Sequence, residues 1–233
     1  MRRKPSIAVH LAACLVLSLP ALGQAPSDHS AALEQILNRM DQVAADFHTT
    51  EASFVWEQYT RVVNDIDTQK GKIYFRRSGN EIQMAADITE PAAKYVVFAG
   101  GKVQMYQPRT NQLTSYDTSK NRAEVESFLV LGFGGGGHAM LKSFDLQYLG
   151  TETVDGVDTA KLELVPKSEK ARNNIPRILL WIDPQRGVSV QQQLFQPGGD
   201  YRLARYDQIK INQKIPDSVF KIKNAERAML ESK

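Results

Sequence analysis

From residue 54 onward the side chains alternate. Phe54, Trp56 and Gln58 interleave with Val55, Glu57 and Tyr59. Further short strand-like runs follow in GKIYFRR, NEIQMAAD, KYVVFA, KVQMYQ and QLTSYD, then in FDLQYLG, DTAKLELVPK, RILLWID, VSVQQQLFQ, YRLARYDQIKIN and VFKIK. A period of two marks a strand with one face on a core, because successive Cβ atoms leave a strand on opposite sides. Turn signals separate the runs: Ser78-Gly79-Asn80, Gly100-Gly101, Pro108 to Asn111, Asp155-Gly156, Asp183-Pro184 and Gly198-Gly199. Strands joined by short turns pair antiparallel with their neighbours. About eleven such strands do not stay flat, so the expected architecture is mainly β, an antiparallel sheet curled into a full or partial barrel.

Two segments break this period. In SAALEQILNRMDQVAADFH, residues Leu33, Ile36, Leu37, Met40, Val43, Ala44 and Phe47 fall at helical spacing, with Gln35, Arg39, Asp41 and Gln42 on the other side. That predicts an N-terminal amphipathic helix packed on the sheet, with Ser30 or Asp28 as N-cap. The chain turns helical again from Asn121 to Leu131, with Val125, Phe128 and Leu129 on one side. There FLVLGFGGGGHAML (128–141) runs an apolar stretch into four consecutive glycines. A glycine run beside a helix can cradle phosphate, hinge a moving part, or link two pieces. Phosphate is excluded, because Gly137 is followed by His138-Ala139 and not by the Lys-Ser/Thr of a phosphate loop.

The first residues read as a leader. Arg2, Arg3 and Lys4 precede an apolar stretch from Ile7 to Leu22, and Ala21-Leu22-Gly23 offers a small-x-small cleavage point. The expectation is a signal peptide over 1–23, a linker over 24–30, one domain over 31–223 and a charged tail over 224–233. Leu11-Ala12-Ala13-Cys14 also matches a lipobox, so a form lipid-anchored through Cys14 is the alternative. The leader holds three of the 29 basic residues and no acid, which leaves 26 basic against 26 acidic side chains. A balanced chain gives no bulk attraction to nucleic acid. Cys14 is the one cysteine, so packing alone must stabilise a chain that has lost its leader.

Catalytic patterns are missing. His29, His48 and His138 sit far from one another in sequence, no G-x-S-x-G occurs, and no spacing suits zinc. Glu124 and Glu126 point apart on a helix and are read as a solvated face. The expectation is a protein that is not an enzyme and needs no cofactor or metal.

The order of the pieces resembles the periplasmic outer-membrane lipoprotein carriers, the LolA family. ILNRMDQVAADFHTTEASFVWEQY resembles that family's helix and first strand, and GKIYFRRSGNEIQM its second hairpin. GGKVQMYQPRTNQLTSYD is similar to its D-G-K-x-x-x-x-Y-x-P hairpin, VESFLVLGF lies where its lid helix belongs, and PDSVFKIK resembles its closing strand. The resemblance implies an unclosed antiparallel barrel with a helical lid over an apolar cavity. It implies a monomeric periplasmic carrier of acylated lipoproteins, with an inner-membrane donor complex and an outer-membrane receptor as partners. A sensor-regulator of lipid or lipoprotein, or a carrier of free lipid or glycolipid, is the alternative on the same fold.

On these residues the resemblance sets out a site. Phe54, Trp56, Ile73, Phe75, Ile82, Met84, Leu179 and Trp181 are expected to wall the cavity. Phe128, Leu129, Leu131 and Phe133 line the underside of the lid. Gly132, Gly134, Gly135, Gly136 and Gly137 act as its hinge, or merely bridge helix to strand. The family's latch arginine falls on Arg77, or on Arg76 if the register is one residue off.

Overall fold

A computed structural model describes residues 28–79 and 81–222. The signal peptide over 1–23, most of the linker, Cys14 and the tail over 224–233 lie outside the described residues. The first helix, α1 (Asp28–Ala45), starts inside the expected linker, so Ser30 is a helical residue and not its cap. Six strands follow: β1 (Thr49–Thr60), β2 (Asp65–Ser78), β3 (Glu81–Glu90), β4 (Lys94–Ala99), β5 (Lys102–Gln107) and β6 (Gln112–Asp117). The connection to β7 carries α2 (Arg122–Leu129) and α3 (Gly137–Met140). Then come β7 (Phe144–Val154), β8 (Val157–Pro166), α4 (Glu169–Asn174), β9 (Arg177–Asp183), β10 (Val188–Phe195) and β11 (Tyr201–Ile211).

All eleven strands form one sheet in the order β6-β5-β4-β3-β2-β1-β11-β10-β9-β8-β7, every pair antiparallel. Two meanders therefore meet at a seam between β1 and β11, where Phe54 lies opposite Tyr206 and Trp56 opposite Ala204. The outermost strands, β6 and β7, are not paired to each other, so the barrel is unclosed. The α2–α3 connection starts at one free edge and ends at the other. Irregularities in register at Glu51/Ser53, Lys70/Gly71, Tyr148/Gly150 and Ser189/Gln191 bend the strands and deepen the curl.

Register fixes the two faces. Ala52, Phe54 and Trp56 share the concave face with Ile73, Phe75, Met84, Phe98, Tyr206, Leu180 and Leu162, through direct cross-strand partners. α1 lies in this concavity. Its Ile36, Leu37 and Met40 pack among Leu162, Leu164, Ile178, Leu180 and Ile182. Phe47, just past its end, packs among Phe54, Ile73, Phe75, Met84 and Phe98.

The convex face carries cover of its own. Residues 215–222 lie on it, with Ile215, Phe220 and Ile222 against Ala85, Val97 and Tyr106. The stretch VFKIK, expected as a strand, pairs with none; its start belongs to a 3-10 turn at Asp217–Phe220. Both flanks of the seam strands are already occupied, so this segment buries its apolar residues on a sheet face instead. Arg76 pins it, paired with Asp217 and lying 4.3 Å over the Phe220 ring.

Candidate lid and apolar interior

The concavity is closed by side chains of the α2–α3 connection. Phe128 and Leu131 pack into the cluster under α1, while Val125, Leu129 and Phe133 pack into the one that contains Phe75 and Phe98. Phe133 is 1% exposed, stacks on Phe75 at 5.1 Å and meets the Tyr206 ring edge-on at 4.7 Å. Leu131 is as deeply buried, and its carbonyl accepts from the Gln192 amide. Two residues at the end of one loop thus plug both halves of the interior. Phe128 and Leu129 are half-buried on its rim.

The glycines that follow make a close joint. Gly132 and Gly134 hold φ of +76° and +77°, a region that β-carbons disfavour. A Cβ on Gly134 would enter the Phe47 ring, and one on Gly137 would overlap the backbone of Leu37 in α1. At Gly135 a Cβ would crowd the Val130 carbonyl oxygen at 2.7 Å; at Gly136 it would press only on the Asp41 carboxylate, at 2.8 Å. The expected hinge residues therefore seat α3 against α1 and the loop against β10, where Ser189 N–H donates to the Gly132 carbonyl at 2.9 Å.

His138 fastens the same joint. Its backbone N–H donates to Asp41 Oδ1 at 3.2 Å, its Nδ1 pairs with Asp41 Oδ2, and its Nε2 lies 3.2 Å from Glu34 Oε1. Asp41 and Glu34 both belong to α1, so the pairing ties α3 to it. The Asp41 hydrogen bond, helped by Glu34, raises the imidazole above its ordinary value of 6.5. A histidine raised on folding contributes stability that is complete below its unfolded pKa and lost as pH rises through its folded one. The gap in melting temperature between the protein and His138→Gln is therefore expected to be wider at about pH 5.5 than at about pH 8.5. An equal gap at both values would mean that the ion pairing contributes nothing.

Of the two candidate arginines, Arg77 faces inward and Arg76 outward. Arg77 donates from one terminal nitrogen to the Ala44 carbonyl, in the last turn of α1, at 3.3 Å. It donates from the other to the Gly134 carbonyl at 3.0 Å. It also lies 5.7 Å over the Phe47 ring, so one side chain holds helix, loop and sheet together. Arg76 sits on the convex face, bonded to Gln83 and Asp217.

The expected wall divides in the same way. Phe54, Trp56, Ile73, Phe75, Ile82 and Met84 share the concave face, Ile82 lying opposite Arg77 at its rim. Leu179 and Trp181 do not. They pack with Val154 and Val190 on the other face, and the interior of β9 is built by Ile178, Leu180 and Ile182. RILLWID is apolar on both faces, so alternation gave no phase. Phe98, Leu162, Leu164 and Tyr206 are interior residues that the motif reading missed, and Phe47, expected on the apolar face of the first helix, joins them. Glu124 and Glu126 are half-buried rather than solvated: Glu126 accepts from Arg122 at 2.8 Å, while one Glu124 oxygen is buried without a partner.

One groove on the concave face, of about 190 Å³, is lined by Trp56, Gln58, Asp67, Gln69, Ile88, Lys94, Val96, Met105 and Arg202. Sites for small apolar ligands usually measure ~300–1,000 Å³. At its observed size the groove falls below that range. Among the described residues no three His, Cys, Asp or Glu side chains are grouped to hold a metal. No described helix is long and apolar enough to cross a membrane.

Comparison with known proteins agrees with this architecture. An uncharacterized conserved protein from Thermus thermophilus superposes with a TM-score of 0.52 at 12% identity, over 83% of this chain and 96% of that one. MucB superposes with a TM-score of 0.51 at 14% identity, over 83% of this chain and 63% of that one. At such identities the likeness is one of fold. An uncharacterized protein of Methanocaldococcus jannaschii is 25% identical over 173 residues; the match spans 74% of this chain but 46% of that protein. Residues 45–223, from the end of α1 through the covering segment on the convex face, match the outer membrane lipoprotein carrier protein LolA, and the chain belongs to the LolA family.

Proposed function

We propose that the protein is a periplasmic carrier that shields the acyl chains of lipoproteins inside the curled sheet during transfer to the outer membrane. One observation carries this reading: beside α1 and Phe47, the concavity is filled by Leu131 and Phe133, which belong to the connection between the sheet's free edges and not to the strands. Here the plug sits on a separate piece, tied down by a handful of hydrogen bonds.

Magnitudes favour exchange. Each CH2 kept from water is worth ~0.8 kcal/mol, so a palmitoyl chain is worth on the order of 12 kcal/mol. Lifting Leu131 and Phe133 out costs about 1.5–3 kcal/mol each. Releasing the Arg77 bond to the Gly134 carbonyl costs about 1.5–3 kcal/mol. The guest outweighs the plug by a few kcal/mol, enough to load. The plug's return lowers the cost of handing the guest to a receptor that offers apolar cover of its own. A donor complex in the inner membrane and a receptor in the outer one are the partners this cycle requires.

Arg77 sets the balance. Arg77→Leu removes the donor to Gly134 that is used only when the lid is down, so the closed state loses stability relative to the loaded one. The expected result is an apparent affinity for a fluorescent fatty-acyl probe about tenfold tighter, with slower release. Unchanged affinity would remove Arg77 from the cycle.

The function itself is tested by purifying the protein from its own cells and identifying what comes with it by mass spectrometry. Acylated proteins are expected. Free lipid alone would favour a lipid or glycolipid carrier, and a partner protein with no acyl chain would favour a sensor-regulator on the same fold.

A further inference from the structure

We infer that the groove at the mouth of the interior is a head-group site, and that it takes acyl amphiphiles whose head carries a negative charge, a carboxylate or a phosphate. The inference rests on the reading that acyl chains enter this interior, and adds to it which end stays at the mouth.

The groove lies toward the β1–β2 hairpin, away from Arg77. On the concave face of β1, Gln58 is followed inward by Trp56 and then Phe54, whose rings stack at 4.0 Å. Phe54 belongs to the same cluster as Phe133. At ~3.3 Å per residue, the strand carries an apolar track about 13 Å from Gln58 to Phe54. A chain laid along it would reach the plug directly.

At the outer end of this track stand two cations. Arg202 lies across from Gln58 and donates to its Oε1 through Nε at 3.3 Å, with the guanidinium 5.9 Å over the Trp56 ring. Its two terminal nitrogens bond no described residue. Lys94, half-buried, lies across from Ile88 on the inner face. The ion pairs among the described residues include neither of them.

Asp67 is the one acid lining the groove. It lies across from Gln58 on the other side and is exposed. Two cations against one exposed carboxylate leave the groove with an excess of one positive charge. A third donor points the same way: Trp56 Nε1 is buried and has no hydrogen-bond partner. The neighbouring Tyr206 hydroxyl donates to Gln192 Oε1 at 3.4 Å and interacts with the indole N–H without closing a full hydrogen bond. A buried donor left unpaired is costly, and an incoming oxygen relieves it. Gln69 completes a rim able to bond a head group, above an apolar floor of Ile88, Val96 and Met105, while the Gln58 amide is already bonded to Gln196 Oε1 and the Tyr201 carbonyl. Unpaired cations over such a floor match an anion on an alkyl chain, and a neutral head would leave them unpaired.

Palmitate, hexadecylphosphate, hexadecanol and hexadecyltrimethylammonium share one chain and differ in head. Each is competed against a fluorescent fatty-acyl probe on the whole protein. Palmitate and hexadecylphosphate are expected to bind about tenfold tighter than hexadecanol, with the trimethylammonium weakest. The stronger of the two anions tells a free fatty acid site from a phospholipid site. Arg202→Gln should bring the anions to within about twofold of hexadecanol, and Arg202→Glu should favour the trimethylammonium, while hexadecanol itself is unaffected. If Arg202 variants fail to fold, Lys94→Gln should still narrow the gap. Head-blind binding by the unaltered protein overturns the head-group site and leaves the carrier reading standing. Failure of all four chains to bind removes the carrier reading, and the head-group site with it.

Discussion

Phe133→Ala is expected to lower the stability of the closed protein by about 3–5 kcal/mol, while raising its capacity for an acyl guest. The cost is that of emptying a fully buried aromatic site whose walls relax only in part. Phe133 touches Phe75 and Tyr206 on two strands and shares its cluster with Phe47, all held by the sheet or by α1. The vacated space joins the region below Phe54, toward the open groove. An ordinary core residue would lose stability and give nothing back. Here the same deletion removes the competitor for the guest, so affinity for a fatty-acyl probe should rise as the urea midpoint falls. Loss of stability with unchanged or weaker binding would show that Phe133 is plain core, and the exchange of plug for guest would fail.

The second large effect separates two neighbouring glycines. Gly137→Ala should cost about 3 kcal/mol, because the new methyl overlaps the backbone of Leu37, which no rotamer change can move. Gly136→Ala should cost about 1 kcal/mol, since the carboxylate end of Asp41 must shift against its bonds to His138 while no backbone is displaced. Gly137→Ala should also abolish the pH dependence that His138 brings, as α3 lifts away from Glu34 and Asp41. Were the run a free hinge, the two changes would act alike by stiffening it. Equal effects on melting and on probe release would therefore restore the hinge and discard the joint.

This contrast also shows where sequence reasoning stops. A glycine declares what its backbone is allowed to do, but not what lies against it. The GGGG run was legible as a special place and illegible as a contact surface. Parity was the other limit. On β1 to β3 polar residues alternate with apolar ones, so Phe54, Trp56, Ile73, Phe75 and Met84 could be read as one face, and they share one in the sheet. On β9 both faces are covered, one by α1 and the other by Val154, Val190 and Phe195, and the signal vanished. Neighbouring arginines at the end of β2 were separable only once that parity was fixed: Arg77 follows Phe75 inward, and Arg76 faces the covering segment. VFKIK has the alternation of a strand but no free ladder to join. The short helix α4 escaped because one turn gives no periodicity, although Ser168, whose Oγ accepts from Ala171 N–H at 3.3 Å, signals its start.

The seam between β1 and β11 has a consequence for assembly. Its partners, such as Phe54 and Tyr206, lie some 150 residues apart in sequence. Contacts this distant slow folding, since a long segment must be ordered before they form. During synthesis the first meander emerges with one flank of β1 bare until nearly the last strand of the domain has appeared. Until then the bare flank is open to any extended segment, from the same chain or from another. In a chain of this topology the early half closes its flank only when the late half is available, so the seam is the last long-range pairing to form.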